Sequence, residues 1–234
     1  MAQLSIVIPC YNEAENIPLI LAEYGKLIQN DEIELVLVNN GSTDNTAQVL
    51  DWIRDSYPFL KILTIEVNQG YGFGILAGLR SAESEYLGWT HGDMQTPPQD
   101  ILTGWKIIKS RPGQTNIYLK GTRYGRPFFD KLITWGMTAF ETVYFGLRLN
   151  DINAQPSLFH RSFFAKWKNP PIDFSLDLYV LYQARKEKME VIRFPVAFLK
   201  RLHGQSNWNK NLLSKFKAIK KALAYSIRLK KDNC

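Results

Sequence analysis

The chain has 234 residues, 45% of them hydrophobic and 13% aromatic, and this composition excludes an intrinsically disordered protein. A formal net charge of +7 predicts an anionic partner: nucleic acid, phosphorylated substrate or acidic lipid. The sequence contains no repeat, no Ser/Gly linker and no uncharged apolar stretch of about 18 residues. We therefore expect a single domain with no membrane-spanning segment.

The two ends of the chain give little sign of export or of cysteine chemistry. No charged leader or long apolar segment precedes the first predicted strand at Leu4, and we expect a cytoplasmic protein. Cys10 and Cys234 are the only cysteines, and their distance in sequence argues against a disulfide framework or a metal knot. We expect Cys10 to be a reduced, partly buried residue and not a nucleophile.

Strands and helices alternate along the first part of the chain. Residues 4–8 and 33–38 are apolar runs rich in β-branched side chains, each followed by polar residues and a helical pattern. Asn12 and Glu15 have the spacing of a capping box, with Asn in place of Ser or Thr, at the start of a helix ending near Ile28. This alternation predicts parallel strands joined by helices.

The alternation continues to about residue 110. We predict a third strand at 61–66, a small-residue helix at 74–82, a fourth strand at 86–90 and a helix starting at Pro97 and Pro98. Doubly wound sheets bind ligands at the carboxyl ends of their strands. We therefore expect the polar segments that follow the strands to converge and form a nucleotide-binding site. These segments are 9–13, 39–44 and 91–95.

The second half has a different character. It contains a predicted strand at 116–121, a long aromatic helix at 128–146, a short strand at 157–160 and a helix at 174–186. Pro195 interrupts the last predicted strand, 191–200, and indicates an edge strand or a bent one. Residues 211–231 predict a basic amphipathic helix, which either lies on an anionic membrane surface or docks on its own domain.

Four motifs carry a family resemblance: Ile-Pro-Cys-Tyr-Asn-Glu at 8–13, the Val-Asn-Asn-Gly-Ser-Thr-Asp-Asn-Thr segment at 38–46, the glycine series within 68–78, and Gly-Asp-Met-Gln-Thr-Pro-Pro at 92–98. Together they resemble family 2 glycosyltransferases, in the branch of dolichyl- and polyprenyl-phosphate sugar synthases. The resemblance implies an α/β fold of GT-A type, with a mostly parallel central sheet flanked by helices. We assign residues 1–208 to one domain, with a nucleotide-sugar-binding half at 1–110 and an acceptor half at 111–208, and residues 209–234 to the basic helix.

The resemblance places the donor at the first two strand ends. Glu13 is suited to accept from ribose hydroxyls, although a helix first-turn acid is the alternative. Asn39 and Asn40 stand where the family usually has two aspartates that read the base, and an amide oxygen still accepts a ring N–H. The glycines fail the dinucleotide G-x-G-x-x-G spacing and indicate a tight turn and close helix packing. The expected nucleotide-sugar-binding residues are Pro9, Tyr11, Glu13, Asn39, Asn40, Gly70 and Asp93.

A divalent ion is expected next to the fourth strand. In the family an Asp-x-Asp motif holds the ion that bridges the donor diphosphate. Here His91 replaces the first acid, Asp93 is the second and Gln95 follows. Mg²⁺ or Mn²⁺ fits this set, and His91 is either a nitrogen ligand that favours Mn²⁺ or a hydrogen-bonding neighbour.

The acceptor half offers two arginines and one acid. Arg123 lies in a Gly-x-Arg-Tyr loop and Arg201 begins an Arg-x-x-Gly-x-Ser segment, both similar to family motifs. Each guanidinium suits the acceptor phosphate or the leaving diphosphate, with a surface ion pair as the alternative. Asp177 is the candidate base for a hydroxyl acceptor, with a helix ion pair as its alternative. We therefore expect Asp93, Arg123, Arg201 and Asp177 to be the catalytic residues.

The predicted function is transfer of one sugar, with inversion, from a nucleoside diphosphate sugar to a membrane-associated acceptor, with polyprenyl phosphate favoured. An ionised lipid phosphate needs no general base. Absence of a Q-x-x-R-W pattern favours single transfer, and the 151–156 segment departs from the family block, which leaves the acceptor class open. The alternatives are transfer to a hydroxyl of a lipid-linked saccharide or cell-surface glycan, and a non-catalytic nucleotide-sugar-binding protein. We do not expect nucleic acid as a partner. We expect the protein to lie peripherally at the inner face of the membrane. Homo-oligomerisation is possible and stays open.

Overall fold

The structure, a computed structural model, describes residues 2–203 and 212–232. Its strands are β1 (Leu4–Cys10), β2 (Ile33–Asn40), β3 (Leu60–Ile65), β4 (Tyr86–Trp89), β5 (Ile117–Tyr124), β6 (Ser157–His160) and β7 (Glu190–Ala197). Its helices are α1 (Asn16–Leu27), α2 (Thr46–Ile53), α3 (Tyr71–Ser81), α4 (Pro98–Lys109), α5 (Phe128–Phe145), α6 (Arg161–Phe164), α7 (Leu176–Lys186) and α8 (Leu212–Lys231).

The strands form one seven-stranded sheet in the order β3-β2-β1-β4-β6-β5-β7. Strands β1 to β4 are mutually parallel, β6 is antiparallel to both β4 and β5, and β7 runs parallel to β5. The predicted mostly parallel sheet is confirmed. Pro195 lies in β7 at the edge of the sheet, as predicted, since a residue without an N–H is tolerated where no further strand pairs.

The two faces of the sheet bury two apolar cores. In β1, Ile6 and Ile8 point to the core that α1 and α4 cover, whereas Val7 points to the core shared with α3 and α7. This alternation follows from the two-residue period of a strand. Helices on both faces therefore leave the carboxyl ends of β1, β2 and β4 as an accessible edge of the sheet.

The start of α1 differs from the prediction. The helix begins at Asn16, Glu15 is its N-cap residue, and no side chain caps it, so the predicted capping box is wrong. Asn12 instead has a φ of 57°, a left-handed conformation that Asn tolerates. Its side-chain oxygen accepts a hydrogen bond from the Thr43 amide at 2.8 Å, so Asn12 joins the loops that follow β1 and β2.

The C-terminal part of α8 docks on its own domain. Tyr225, Ser226 and Leu229 are buried, while Lys217, Lys220, Lys221, Arg228 and Lys231 are exposed. Of the two roles left open for this helix, docking with a solvated basic face is the one seen at these residues. Residue 211 and residues 233–234, including Cys234, lie outside the described part of the chain. Within that part, each helix is too short or too polar to cross a bilayer.

Cys10 is more deeply buried than predicted. Its side chain has no solvent exposure and is a free thiol in the core beneath α1. Burial raises the pKa of Cys10 well above its usual range. A thiol that stays protonated is a poor nucleophile, which agrees with the structural role that the sequence predicts.

Glu141 couples α5 to α8 and makes folding depend on pH. Its Oε1 accepts a hydrogen bond from Ser226 Oγ at 2.6 Å, while its Oε2 is buried and finds no partner among the described residues. Burial raises the pKa of Glu141 to about 7 from 4.5. The folded protein therefore retains a proton that the unfolded chain releases, and stability falls as the pH rises from about 4.5 to about 7.

We expect Glu141→Gln to stabilise the protein at alkaline pH. A neutral amide of the same shape keeps the acceptor for Ser226 and removes the buried charge, so the free energy of unfolding rises by about 2 kcal/mol near pH 8. Near pH 5 the gain is expected to be much smaller, since most of the folded molecules still carry the proton. Urea denaturation at both pH values measures this difference, and an equal gain at both would contradict it.

Candidate active site

Loops that follow β1 and β2 are fastened to each other at the carboxyl edge of the sheet. Asn12 Nδ2 donates to Thr43 Oγ1 at 3.2 Å, and the Glu13 amide donates to Thr46 Oγ1 at 3.0 Å. Asp44 Oδ1 accepts from the Thr46 amide at 3.0 Å. Two of the polar segments that the sequence expects to converge therefore form one connected surface.

Glu13 lies at the centre of that surface and connects to the end of the second half. It is 8% exposed, and its carboxylate accepts from Asn16 Nδ2 and pairs with Arg201 Nη2. Arg201 Nε also donates to the His203 carbonyl at 2.9 Å. Burial raises the pKa of Glu13; Asn16 and Arg201 oppose this shift and Asp93 adds to it. The structure thus brings Glu13, Arg201 and Asp93 together. Residues 204–206 of the Arg201 segment lie outside the described residues.

Asn39 and Asn40 are both buried, and their side chains form hydrogen bonds to different loops. Asn39 Oδ1 accepts from the Ser42 amide at 3.1 Å, which shapes the loop after β2. Asn40 Nδ2 donates to the Gly70 carbonyl at 2.8 Å, and its Oδ1 accepts from the Gln69 amide at 3.5 Å. Asn40 therefore holds the glycine loop in place with both ends of its amide.

The glycine series permits close packing, as the sequence predicts. Gly70 has a φ of 108°, and a Cβ on Gly72 would lie 2.7 Å from the Pro171 carbonyl oxygen. The Phe73 amide donates to the Ile172 carbonyl at 2.9 Å across the same contact. Glycines here let the start of α3 approach the 171–173 backbone, which brings that segment next to the loop that Asn40 holds.

The predicted metal loop follows β4 and is covered by the segment that follows β7. Asp93 Oδ1 accepts a hydrogen bond from the Gln95 amide at 3.1 Å, and this bond closes a turn. The turn uses one of the two carboxylate oxygens of Asp93. Gln95 Nε2 donates to the Leu199 carbonyl at 3.1 Å, and the Leu199 amide donates to the Gln95 carbonyl at 2.9 Å. The segment that leads to Arg201 is thus fixed across this loop.

His91 lies where the two halves meet. Burial lowers the pKa of His91, opposed by Asp93 and then Asp177, while Arg123 adds to the lowering. The imidazole is therefore neutral at physiological pH and has a lone pair for a ligand. In residues 2–203 and 212–232, no three His, Cys, Asp or Glu side chains are grouped as a metal site. A divalent ion here would need most of its ligand oxygens from the donor or from water.

Arg123 makes a well-formed ion pair. Its amide donates to Asp151 Oδ2 at 2.8 Å and its Nε donates to Asp151 Oδ1 at 3.0 Å. Burial acts to raise the pKa of Asp151, but the charge and hydrogen bonds of Arg123 outweigh it, and the pKa lies below its usual range. The Arg123 guanidinium lies 5.5 Å from the centroid of the Phe198 ring, and Arg126 lies 5.7 Å from the same ring. Two cations therefore contact one aromatic ring.

Asp177 occupies a different position from the one expected of a base at the acceptor face. It is 1% exposed and pairs with the fully buried Lys120, whose Nζ lies 3.1 Å from its Oδ1. Gln155 Nε2 donates to the same oxygen at 2.9 Å, and Tyr71 Oη donates to Oδ2 at 3.3 Å. Lys120 Nζ also donates to Ser157 Oγ at 2.9 Å. The sequence leaves two roles open for Asp177, a base and a helix ion pair. The structure shows the ion pair.

This polar network was not predicted. Its signal in the sequence is the presence of opposite charges inside two apolar segments, Lys120 in β5 and Asp177 in α7. Burial lowers the pKa of Lys120 to about 8, opposed by Asp177. Tyr71 links the network to the site, because its ring lies 6.0 Å from that of His91 and stacks at 4.5 Å on Phe174.

Comparison with known proteins identifies the family. The model of glycosyl transferase family 2 matches residues 5–166, more than half of the chain. This chain therefore belongs to glycosyl transferase family 2. The matched region contains the loops that follow β1, β2 and β4, but neither the 171–173 segment nor the Leu199 to His203 segment.

Curated relatives point to one branch of the family. Undecaprenyl-phosphate 4-deoxy-4-formamido-L-arabinose transferase of Proteus mirabilis is 35% identical over 106 residues, covering 42% of this chain and 31% of that protein. Dolichol-phosphate mannosyltransferase of Pyrococcus furiosus is 26% identical over 217 residues, covering 87% of this chain and 58% of that protein. The predicted resemblance to polyprenyl-phosphate sugar synthases is confirmed. The chain spans about a third and about three fifths of these two relatives.

A solved structure confirms the fold. A mannosyltransferase from Pyrobaculum calidifontis, in complex with GDP-Man and Mn²⁺, superposes with a TM-score of 0.70 at 19% identity. The superposition covers 97% of this chain and 64% of the other. The predicted GT-A type α/β fold is therefore correct, and at this identity the similarity supports no statement beyond the fold.

Proposed function

We propose that this protein transfers one sugar, with inversion, from a nucleoside diphosphate sugar to a polyprenyl phosphate. One observation carries the proposal: Glu13 and Asp93 at the carboxyl edge of the sheet share an electrostatic environment with Arg201 from the second half. In this proposal Glu13 and Asp93 are the donor-binding acids and Arg201 is the phosphate-binding cation of one site. The polyprenyl-phosphate sugar transferases among the relatives support the acceptor class.

The donor nucleotide is proposed to lie on the loops after β1 and β2. Pro9 and the half-exposed Tyr11 offer a surface for the base, and Glu13 accepts from ribose hydroxyls when Arg201 moves to a phosphate. Asn39 is proposed to read the base through its amide. The contribution of Asn40 and Gly70 is to fix the shape of the neighbouring loop, since the Asn40 amide is bonded to that loop.

A divalent ion fits the loop after β4 as a partner of the donor diphosphate. Asp93 supplies a carboxylate, Gln95 an amide oxygen and His91 a neutral nitrogen. Such an ion neutralises the charge that develops on the leaving diphosphate. We propose Mn²⁺ ahead of Mg²⁺ because of the imidazole; Mn²⁺ accompanies GDP-Man in the Pyrobaculum calidifontis mannosyltransferase. Asp93 holds the loop turn at the same time.

The acceptor phosphate is proposed to bind at Arg123 and Arg201. A phosphate oxygen is ionised at neutral pH and attacks without losing a proton, so catalysis requires positioning and charge neutralisation. The buried ion pair of Asp177 agrees with this chemistry, because a base for a hydroxyl acceptor needs access to that hydroxyl. We also propose action at the inner membrane face, and a division into donor half 1–110, acceptor half 111–208 and terminal helix 209–234.

Nucleotide binding tests the donor half of the proposal. We expect one nucleoside diphosphate sugar in a panel to raise the melting temperature by roughly 5 to 10 °C at about 100-fold excess over its Kd. Mn²⁺ is expected to increase the shift. The matched control is the same sugar as its 1-phosphate, which lacks the nucleotide. No shift with any nucleotide sugar, with or without Mn²⁺, would contradict the donor site.

Acceptor chemistry is tested with a matched pair of lipids. Polyprenyl phosphate and the polyprenol of the same length differ only in the phosphate. We expect labelled sugar to appear in the lipid fraction only with the phosphate, because Asp177, the candidate base for a hydroxyl, is buried in its ion pair with Lys120. Equal labelling of both lipids, or labelling of a saccharide hydroxyl alone, would exclude polyprenyl phosphate as the specific acceptor.

A further inference from the structure

Phe174 is an exposed aromatic residue with a fixed partner beside the candidate active site. Its ring stacks on that of Tyr71, with the centroids 4.5 Å apart and the planes 6° from parallel. A lone exposed Phe is ordinary on a protein surface. Here, however, one face of the ring is covered by a partly buried tyrosine while the side chain is still 64% exposed. We call the uncovered side the open face of Phe174.

Tyr71 connects Phe174 to the loop after β4. Its ring centroid lies 6.0 Å from that of His91, the first residue of the proposed metal set. The Tyr71 hydroxyl donates to Asp177 Oδ2 at 3.3 Å and accepts from Gln155 Nε2 at 3.3 Å. These bonds hold the tyrosine by its far end. A single aromatic ring therefore joins the open face of Phe174 to the loop proposed for the donor diphosphate.

The backbone around Phe174 is also fixed. The Ile172 carbonyl accepts from an amide at the start of α3 at 2.9 Å. Asp173 Oδ1 accepts from the Ser175 amide at 2.8 Å, and Asp173 Oδ2 pairs with Lys221 of α8 at 2.9 Å. A ring that is already ordered loses little conformational entropy when a ligand packs against it. Phe174 is thus a preorganised apolar surface at the rim of the site.

The position of Phe174 matches the sugar of the donor better than its base. The base is proposed to lie on the loops after β1 and β2, at Pro9, Tyr11 and Asn39. The sugar is attached to the diphosphate at the end opposite the nucleoside, so it lies beyond the metal loop. Phe174 reaches that loop from the start of α7, through Tyr71. A pyranose has a face of C–H groups, and aromatic side chains supply apolar surface for such faces in ligand sites.

We infer that the open face of Phe174 packs against the pyranose ring of the donor and contributes to the choice of sugar. Tyr71 supports Phe174 from behind and is a positioning residue. The inference rests on the proposed function, because it assigns a residue to the sugar of the proposed donor. Phe174 therefore contributes to the binding of a nucleoside diphosphate sugar and not to the binding of the nucleoside diphosphate alone.

The experiment is isothermal titration calorimetry of wild-type protein and Phe174→Ala in the presence of Mn²⁺. The two ligands are the nucleoside diphosphate sugar that gives the largest melting shift in the panel and the same nucleoside diphosphate without its sugar. We expect the Kd of Phe174→Ala for the sugar nucleotide to rise about tenfold, the size of effect of one lost apolar contact in a pocket. The Kd for the nucleoside diphosphate is expected to change less than about twofold.

Two further substitutions of Phe174 separate a sugar contact from a structural role. Phe174→Tyr keeps the flat ring and is expected to bind the sugar nucleotide within about threefold of wild type, whereas Phe174→Leu covers Tyr71 without an aromatic face and should be intermediate. The matched control is Phe128→Ala at the start of α5, where the side chain is 66% exposed. It is expected to leave both Kd values unchanged. Thermal denaturation without ligand is expected to place every variant within about 3 °C of wild type, because both phenylalanines are largely exposed.

Three results would overturn the inference. The first is equal weakening of both ligands in Phe174→Ala, which would assign the ring to the base or to the shape of the site. The second is unchanged affinity for both ligands, including the case in which only the KM for polyprenyl phosphate rises. The third is a loss that Phe174→Tyr does not restore. Absence of any nucleotide-sugar binding by wild-type protein would contradict the proposed function together with the inference. Selective loss of sugar-nucleotide affinity in a protein that transfers no sugar would support the inference and contradict the proposed function.

Discussion

Asp93→Asn is expected to lower kcat for sugar transfer by about 100- to 1000-fold, the size of effect seen when one preorganised electrostatic group is removed. Asp93 is the only carboxylate within the predicted metal set of His91, Asp93 and Gln95. Asparagine retains the oxygen that accepts from the Gln95 amide, so the loop turn and the melting temperature should be preserved. Steady-state kinetics at saturating donor and Mn²⁺, together with thermal denaturation, measure both quantities.

Asp44→Asn is the matched control for this prediction. Asp44 forms the same kind of turn in the neighbouring loop, where its Oδ1 accepts from the Thr46 amide at 3.0 Å. It lies in the proposed donor-binding loop but outside the proposed metal set, so we expect any effect on the KM for the donor, while kcat at saturating donor should change by less than about threefold. Equal losses in the two variants, or a loss in Asp93→Asn that follows a fall in melting temperature, would show that Asp93 acts through the fold.

Lys120→Met is expected to reduce the free energy of unfolding by about 3 to 5 kcal/mol, because it leaves Asp177 buried without its cation. The two side chains are 0% and 1% exposed, so water cannot replace the lost partner. Ser157 Oγ also loses the hydrogen bond that Lys120 Nζ donates at 2.9 Å. Urea denaturation measures the loss directly.

The double variant Lys120→Met/Asp177→Asn distinguishes an isolated charge from a packing defect. Removing both charges should recover more than about 1 kcal/mol relative to Lys120→Met, because the uncompensated carboxylate is gone. The asparagine oxygen can still accept from Gln155. A double variant as unstable as Lys120→Met alone would mean that the methionine is tolerated poorly for its shape and that the ion pair contributes little.

Local patterns were sufficient to predict a mostly parallel sheet, but not the order of its strands or the antiparallel direction of β6. Alternation of apolar runs with helical segments gave parallel strands, and Pro195 correctly indicated an edge. Strand β2 extends two residues beyond its predicted end because the polar Asn39 and Asn40 still pair with β3 through their backbones. Polarity of side chains alone does not end a strand whose neighbours continue. The convergence of the loops after β1, β2 and β4 followed from the general behaviour of parallel sheets.

Contacts between distant segments account for what the sequence could not predict. Asn12 has the spacing of a capping residue, but its partner Thr43 lies 31 positions away. The ion pair between Lys120 and Asp177 spans 57 positions, and its two charges appear separately in apolar segments. Trp135 and the buried Glu141 share one helix, and only the packing of α8 determines which face of α5 is covered.

The central claim is that a donor site with Asn39, Asn40 and His91 in place of three acids still performs catalysis. It is tested most directly by the rate at which wild-type protein moves labelled sugar from its bound nucleotide sugar to polyprenyl phosphate in the presence of Mn²⁺. We predict multiple turnovers per protein molecule and their loss in Asp93→Asn. Tight binding of the nucleotide sugar with no transfer to any acceptor would contradict the claim and identify a non-catalytic nucleotide-sugar-binding protein.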